Sequence, residues 1–172
     1  VVLDRNLETI QTMRSFGIRA FLGDPTRPDM LLAAGLMNAK VLVVALDDPA
    51  AVLRLVTMAR KMHPDIHIIA RASDRPQVFK LFQAGANDIV REMFDSSLRA
   101  GRYVLENMGL TEYEAAMAED AFYHHDRDAV RELAELWKPD VPASKNPPYL
   151  EKAKELEADL QTMLTAQISK EN

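Results

Sequence analysis

Short apolar runs alternate with helix-period stretches over the first half of the chain. Segments with apolar residues three or four positions apart connect five such runs, at 1–3, 18–23, 40–46, 65–72 and 87–92. The alternation predicts an α/β fold, in which βα units build a parallel sheet flanked by helices. Because the runs at 40–46 and 65–72 are almost entirely apolar, we expect helices to cover both faces of those two strands.

From Asp95 onward the periodicity is helical only. The Pro-rich segment KPDVPASKNPP interrupts it at 138–148, and a last helix is predicted at 149–168. That helix carries an apolar stripe, made of Leu156, Leu160, Met163, Leu164 and Ile168. We therefore predict a Rossmann-like domain followed by a C-terminal helical extension. The expected parts are a nucleotide-binding domain at 1–94, helices at 95–138, and a linker with an amphipathic helix at 139–172.

Composition and charge exclude several classes of protein. The chain has 172 residues, 48% of them hydrophobic, which is enough for a buried core. It has no Cys, which excludes disulfides and thiolate catalysis, and its apolar runs are too short to span a bilayer. Residues 1–110 carry 14 Lys and Arg against 12 Asp and Glu, whereas residues 111–172 carry 7 against 14. Without a dense basic run, nucleic-acid binding is disfavoured.

Polar side chains cluster where the predicted strands end, which is the edge at which open parallel sheets bind ligands. Asp4 could accept both hydroxyls of a ribose, or could cap the following helix. Asp24 could accept from an adenine amino group, or could stabilise a turn. Arg71 could face a phosphate, a carboxylate or a buried salt-bridge partner. Together these three positions favour a nucleotide site.

Other chemistry is weakly supported. No nucleophile lies beside a base in the sequence, and no Gly-rich phosphate turn is present; we expect that turn about 20 residues before Asp4, with the first strand of the sheet. His124, His125 and Asp126 are adjacent on a helix and so point to different faces, which disfavours a metal site. Asp48 precedes Pro49, so it is more simply a helix N-cap than a magnesium ligand.

One pattern of residues goes beyond a generic Rossmann domain. It combines VVLDRN at 1–6, GDPTR at 23–27, ALDDP at 45–49, IIARA at 68–72 and VRE at 90–92 with a later GR..LE..GL. In these motifs and their spacing, residues 1–126 resemble the cytosolic KTN (also called RCK) regulatory domain of the Kef family of glutathione-gated potassium efflux antiporters. Beyond about residue 130 the resemblance fades into acidic helices.

The resemblance implies a gating module rather than an enzyme. Two such domains would form a homodimer beneath the membrane antiporter domain of the same polypeptide, at the cytoplasmic face of the bacterial inner membrane. Each would hold an adenine nucleotide, AMP or NAD(H). Glutathione would keep potassium efflux closed, and bulky glutathione adducts of electrophiles would open it. The acidic tail would contact an accessory quinone oxidoreductase.

The resemblance also implies roles for individual residues. Nucleotide-binding positions map onto Asp4, Arg5, Asp24, Ala45, Asp47 and Arg71. Glutathione-binding and gating positions map onto Phe16, Arg91, Phe122, His124 and Asp126. Phe16 would be displaced by a bulky adduct, and Arg91 would hold a glutathione carboxylate. Asp126 stands where relatives have Asn and would repel a carboxylate unless protonated or turned away, so His124 or His125 would compensate.

Two other functions are weighed against this interpretation. An NAD-dependent dehydrogenase would need a proton-transfer residue in a substrate domain, and residues 111–172 offer no such constellation. A nucleotide-sensing RCK domain of another potassium transporter or channel normally continues into a small mixed α/β domain, whereas this chain continues into helices. The regulatory domain of a potassium/proton antiporter is therefore favoured, with the RCK domain of another potassium transporter as the alternative.

Overall fold

The computed structural model describes residues 1–169 and divides the chain into two compact units, Val1–Arg91 and Glu92–Asn172. The first unit alternates strands and helices as the hydrophobic pattern predicts. A short 3-10 helix, Leu36–Asn38, is an addition to that prediction. The elements of this unit are β1 (Val2–Asp4), α1 (Leu7–Ser15), β2 (Ala20–Leu22), α2 (Pro28–Ala34), β3 (Val41–Val44), α3 (Pro49–Met62), β4 (His67–Ala72), α4 (Arg75–Gln83) and β5 (Asp88–Arg91).

The strands of the first unit pair only in parallel, in two groups. β1 pairs with β2, and β3, β4 and β5 form a three-stranded sheet in chain order. In a doubly wound sheet of order 3-2-1-4-5-6, the second and third strands form one such pair and the fourth to sixth form the other. Among the described residues no strand joins β1 to β3, which is where the first strand lies in that order. The predicted Rossmann-like class is confirmed.

Helices α3 and α4 cover one face of the three-stranded sheet. Both pack against β4, where Ile68, Ala70 and Ala72 are fully buried. The opposite face is more open: Val43 is 65% exposed, although its neighbour Val44 is buried. The prediction that helices cover both faces of these strands is therefore wrong for the described residues. The physical reason is the strand order: because β3, β4 and β5 lie side by side in chain order, both right-handed crossovers advance the same way across the sheet and place α3 and α4 on the same side.

Local sequence signals account for the helix ends in this unit. The Asn6 side chain accepts from the backbone N–H groups of Glu8 and Thr9 at 2.9 and 3.1 Å and begins α1. Asp48 likewise caps α3, accepting from the N–H of Ala50 at 2.9 Å. The N-cap prediction for Asp48 is confirmed. Because both caps lie in loops that follow strands, they also fix those loops at the carboxyl edge of the sheet.

The second unit is helical, as predicted. Its long helix begins with a capping box, in which Thr111 and Glu114 exchange side-chain and backbone hydrogen bonds. The buried Asn146 closes the Pro-rich connection, since its amide donates to the carbonyl of Leu136 at 2.7 Å. Leu156 of the predicted stripe is buried, and the side chain of Ile168 lies outside the described residues. The helices are α5 (Phe94–Asn107), α6 (Glu112–Leu136) and α7 (Pro147–Ser169), with a short 3-10 turn at Ala143–Lys145.

Candidate functional site

Asp4 and Arg5 lie where β1 ends. Oδ1 of Asp4 accepts from the backbone N–H of Asn6 at 2.8 Å, and this bond orients the side chain. Oδ2 takes no part in this bond. Gly23, directly after β2, donates its N–H to the carbonyl of Asp4 at 2.9 Å, so the ends of the two strands are held side by side. Arg5 is exposed beside them. This edge therefore presents one carboxylate and one guanidinium next to each other.

Asp24 is held by a local turn. Its Oδ1 accepts from the backbone N–H of Thr26 at 2.9 Å and from the Thr26 hydroxyl at 2.8 Å. These two bonds, the backbone one first, lower the pKa of Asp24, and the positive charges of Arg5 and Arg27 lower it further. Asp24 is thus an ionised acceptor next to two cations. Asp24 therefore stabilises a turn, which is one of the two roles that the sequence allowed for it. Its Oδ2 takes no part in these two bonds.

The ends of β3 and β4 are joined by an ion pair. Arg71 donates from Nη2 to Oδ1 of Asp47, which lies three residues after β3. The side chain of Asp47 is fully exposed, whereas that of Arg71 is 29% exposed. Ala45, at the end of β3, is exposed and has no large side chain to obstruct this edge. Of the interpretations left open for Arg71, the structure shows a carboxylate partner.

Phe16 is an exposed aromatic residue at the end of α1. It forms the C-cap of the helix, and Gly17 follows with a φ of 76°. Its side chain is 76% exposed, among the largest exposures of any apolar residue in the described chain. An ordinary core residue would lose that exposure on folding, so Phe16 does not act as a core plug within the described residues of this chain.

In the second unit, α6 presents the remaining aromatic candidate. The ring of Phe122 lies 6.4 Å from that of Phe94, and the Tyr123 ring lies 6.1 Å from the same Phe94. Such tilted pairs stabilise an aromatic cluster. The sequence interpretation missed Phe94 and Tyr123; the signal was an aromatic residue at the start of α5 and two adjacent ones on α6. Arg127, which donates to the Tyr123 hydroxyl at 2.8 Å, extends this cluster.

His124 and Asp126 face different directions on α6. His124 is exposed and lies 3.5 Å from Asp120, one helical turn earlier. Asp126 is only 3% exposed, in a helix whose buried face also includes Ala129 and Val130. Within this unit, His124 is therefore the more accessible of the two, and Asp126 is turned inward.

Arg91, the last residue of β5, is half-buried in the first unit.

No metal centre and no membrane span emerge from the part of the chain that is described. Residues 1–169 contain no group of three or more His, Asp or Glu side chains placed to hold a metal ion. None of the helices in that range is both long enough and apolar enough to cross a lipid bilayer. The described strand ends offer carboxylates and guanidinium groups that form hydrogen bonds and an ion pair.

Comparison with known families defines the class of protein. The TrkA-N domain model matches residues 1–92, and the chain belongs to that family. The C-terminal domain of the potassium efflux system KefB matches residues 96–172, so the helical part is also that of a Kef-type regulatory domain. The resemblance to Kef-family KTN domains is therefore confirmed.

Individual relatives agree with this assignment. The glutathione-regulated potassium-efflux system protein KefC of Enterobacter sp. is 42% identical over 136 residues, which are 79% of this chain and 22% of KefC. KefC of Cronobacter sakazakii is 43% identical over 135 residues, with shares of 78% and 22%. The chain thus spans about a fifth of the length of these curated relatives.

Solved structures with the same fold include a ligand-bound one. The AMP-bound Kef C-terminal domain of Shewanella denitrificans is 30% identical, with a TM-score of 0.69, over 80% of this chain and 98% of that one. The TrkA-N domain of the Escherichia coli inner membrane protein ybaL is 29% identical, with a TM-score of 0.54, over 61% of this chain and 76% of that one.

Proposed function

We propose that this chain is the ligand-gating regulatory domain of a potassium efflux system that exchanges potassium for protons. The observation that carries the proposal is the order of the two family matches, with TrkA-N at residues 1–92 followed directly by the KefB C-terminal domain at residues 96–172. The role is regulatory rather than enzymatic. The rest of the polypeptide would supply the membrane antiporter, with this domain on the cytoplasmic side of the inner membrane.

The ligand of the first unit in this proposal is an adenine nucleotide, AMP or NAD(H). The AMP-bound state of the Shewanella relative supports an adenine nucleotide, and AMP in particular. In this chain Asp4 would accept the ribose hydroxyls through the oxygen that Asn6 does not engage. Asp24, ionised under its low pKa, would accept an amino group of the base. Arg71 would face the phosphate, and Arg5 and Ala45 would line the same edge.

The regulatory ligand is glutathione or a glutathione adduct. The names of the KefC relatives support glutathione, and an adduct would open the gate by displacing an exposed aromatic side chain. Phe16 is suited to that role because it is exposed and follows the last residue of α1. Arg91 would pair with a carboxylate of the tripeptide. On α6, Phe122 and the exposed His124 would contact the ligand, whereas the inward orientation of Asp126 removes the expected repulsion.

A homodimer fits the exposed surface of the second unit. None of the described residues of α5 is buried, although Tyr103 and Val104 are large apolar side chains with more than half of their surface exposed. Met108, which follows α5, and Tyr113, in the first turn of α6, are exposed as well. The apolar face of an amphipathic helix is stabilised when another apolar surface covers it. A second copy of this domain would supply such a surface. Sedimentation equilibrium tests this directly, since a monomer at micromolar concentration would contradict it.

An accessory quinone oxidoreductase is proposed as a further partner. Its contact surface would be the acidic helical part, where residues 111–172 carry 14 acidic side chains against 7 basic ones. Such a surface attracts a basic partner at low ionic strength. Co-sedimentation that does not weaken as salt is raised would speak against this electrostatic contact.

The glutathione assignment is tested by titrating the intact polypeptide with a fluorescent glutathione adduct and displacing it with free glutathione. The Phe16→Leu variant should alter the response to the adduct more than the affinity for AMP, because Phe16 is not among the nucleotide contacts proposed here. Equal loss of both would indicate misfolding. Normal binding of AMP together with no binding of adduct or glutathione would reject the glutathione assignment and favour a nucleotide-sensing RCK domain of another potassium transporter.

A further inference from the structure

The contact between Asp47 and Arg71 joins two strand ends that are distant in sequence. Arg71 lies one residue before the end of β4, and β4 is fixed on both sides by pairing with β3 and β5. Asp47 lies in the short connection between β3 and α3, 24 positions earlier. The cation therefore belongs to a rigid strand and the carboxylate to a loop at the ligand-binding edge of the sheet.

The two members of this pair differ in what else holds them. The Asp47 side chain is fully exposed, and within residues 1–169 it makes no hydrogen bond or ion pair other than that with Arg71. Its neighbour Asp48 is fixed independently, because it caps α3 through the N–H of Ala50. The loop can thus release Asp47 without loss of the helix cap.

We propose that Asp47 is an internal competitor for the nucleotide: it pairs with Arg71, and the phosphate of the nucleotide must displace it. The inference rests on the proposed nucleotide-binding function. An exposed ion pair contributes little to stability, so its displacement costs little. A phosphate monoester carries more charge than a carboxylate and has more acceptor oxygens for a guanidinium fork. In this proposal Asp47 acts on affinity through Arg71, in place of the direct nucleotide contact that the resemblance implies for it.

Competition for Arg71 and direct contact with the nucleotide predict effects of opposite sign on AMP affinity when the Asp47 carboxylate is removed. If Asp47 bound the ribose or base directly, its loss would weaken binding of nucleotide and nucleoside alike. If Asp47 competes for Arg71, its loss strengthens binding of AMP and leaves adenosine, which has no phosphate, unchanged. Comparing these two probes therefore separates the competitor from a direct ligand contact.

The experiment is calorimetric titration of the intact polypeptide with AMP and with adenosine, for the parent protein and the Asp47→Asn variant. Asp65→Asn is the matched control, since it removes one exposed carboxylate near the amino end of β4, at the opposite edge of the sheet. From the strength of an exposed ion pair, AMP should bind to Asp47→Asn roughly two- to fivefold more tightly. The Asp65→Asn variant should bind AMP like the parent.

The possible outcomes distinguish a competing Asp47 from a direct nucleotide contact, from a net-charge effect and from failure of the nucleotide function. Tighter binding of AMP with unchanged adenosine affinity in Asp47→Asn supports the competitor. Weaker or unchanged AMP binding in Asp47→Asn overturns it while leaving the proposed function intact, as does an equal gain in Asp65→Asn, which would reflect net charge alone. If AMP binds to none of the proteins, the proposed nucleotide function itself fails, and the competitor fails with it.

Discussion

Gly85, in the loop between α4 and β5, is expected to be far less tolerant of Ala than another glycine with almost the same backbone conformation. Gly85 has a φ of 96° and Gly35 a φ of 98°, and both follow helix ends. A Cβ at Gly35 would meet nothing within 4 Å, whereas one at Gly85 would lie 3.0 Å from Cγ and 3.1 Å from Nε of Arg60. The two sites therefore share the backbone strain and differ in one steric contact.

The steric contact matters because Arg60 is anchored at its far end. Its guanidinium donates to the carbonyl of Gly85 at 2.8 and 3.1 Å and to Oδ1 of Asn87 at 2.7 Å, and it also contacts the carbonyl of Pro64. Oδ1 of Asn87 in turn accepts from the N–H of Ile68 at 2.8 Å. A shift of the Arg60 stem would therefore loosen a connection between α3, β4 and the loop before β5.

The magnitudes follow from these two contributions. Left-handed backbone costs an L-residue about 1 to 2 kcal/mol, so Gly35→Ala should lower the free energy of unfolding by about that amount. Gly85→Ala should lose the same amount plus one or two hydrogen bonds of Arg60, about 1 to 3 kcal/mol more. Both values are measured by urea denaturation followed by far-ultraviolet circular dichroism.

A double-mutant cycle identifies the cause. Arg60→Ala removes Cγ, Cδ and Nε, the three atoms that a new Cβ at Gly85 would meet. In that background the extra cost of Gly85→Ala should disappear and its effect should equal that of Gly35→Ala. If Gly85→Ala and Gly35→Ala cost the same in the parent protein, or if the extra cost persists without Arg60, the steric reasoning is refuted.

Two further predictions concern single hydrogen bonds. Asp24 has a lowered pKa, so its contribution to stability is present above the ordinary carboxyl pKa and is lost as the pH falls through the lowered value. Thr26→Val removes one of its donors and should raise this pKa toward the ordinary range in a carbon-13 NMR titration; an unchanged pKa would exclude the hydroxyl as a cause. Asn146→Ala should lower the free energy of unfolding by about 1 to 2 kcal/mol, because the carbonyl of Leu136 loses its amide donor. The substitution Lys145→Ala, at an exposed position, should cost less than about 0.5 kcal/mol. Equal losses in the two variants would contradict the role of the Asn146 amide.

The positions of the strands and helices could be predicted from the sequence because the signals are local. Apolar runs marked all five strands of the first unit, and Asp48 before Pro49 marked the start of α3, which it caps through the N–H group two positions on. The motifs around Asp4, Asp24 and Arg71 also indicated the family, which the comparison confirmed. The roles proposed for those side chains remain predictions.

The coverage of the sheet could not be predicted in the same way. An apolar run shows that a strand can be buried, but the direction of the crossovers decides which face the helices cover. Val43 therefore stays largely exposed beside the buried Val44. The aromatic cluster of Phe94, Phe122 and Tyr123 was missed for a related reason, because its members lie on two helices and meet only when these pack.

By itself the sequence determined the order of the elements, their caps and the family, since each depends on residues that are neighbours along the chain. Only the tertiary structure decided which side chains are partners. It paired Arg71 with Asp47, held Asp24 in an ionised state beside two cations and turned Asp126 inward. The reason is physical: ion pairs and burial depend on distances between elements, and those distances exist only after the strands have aligned and the helices have packed.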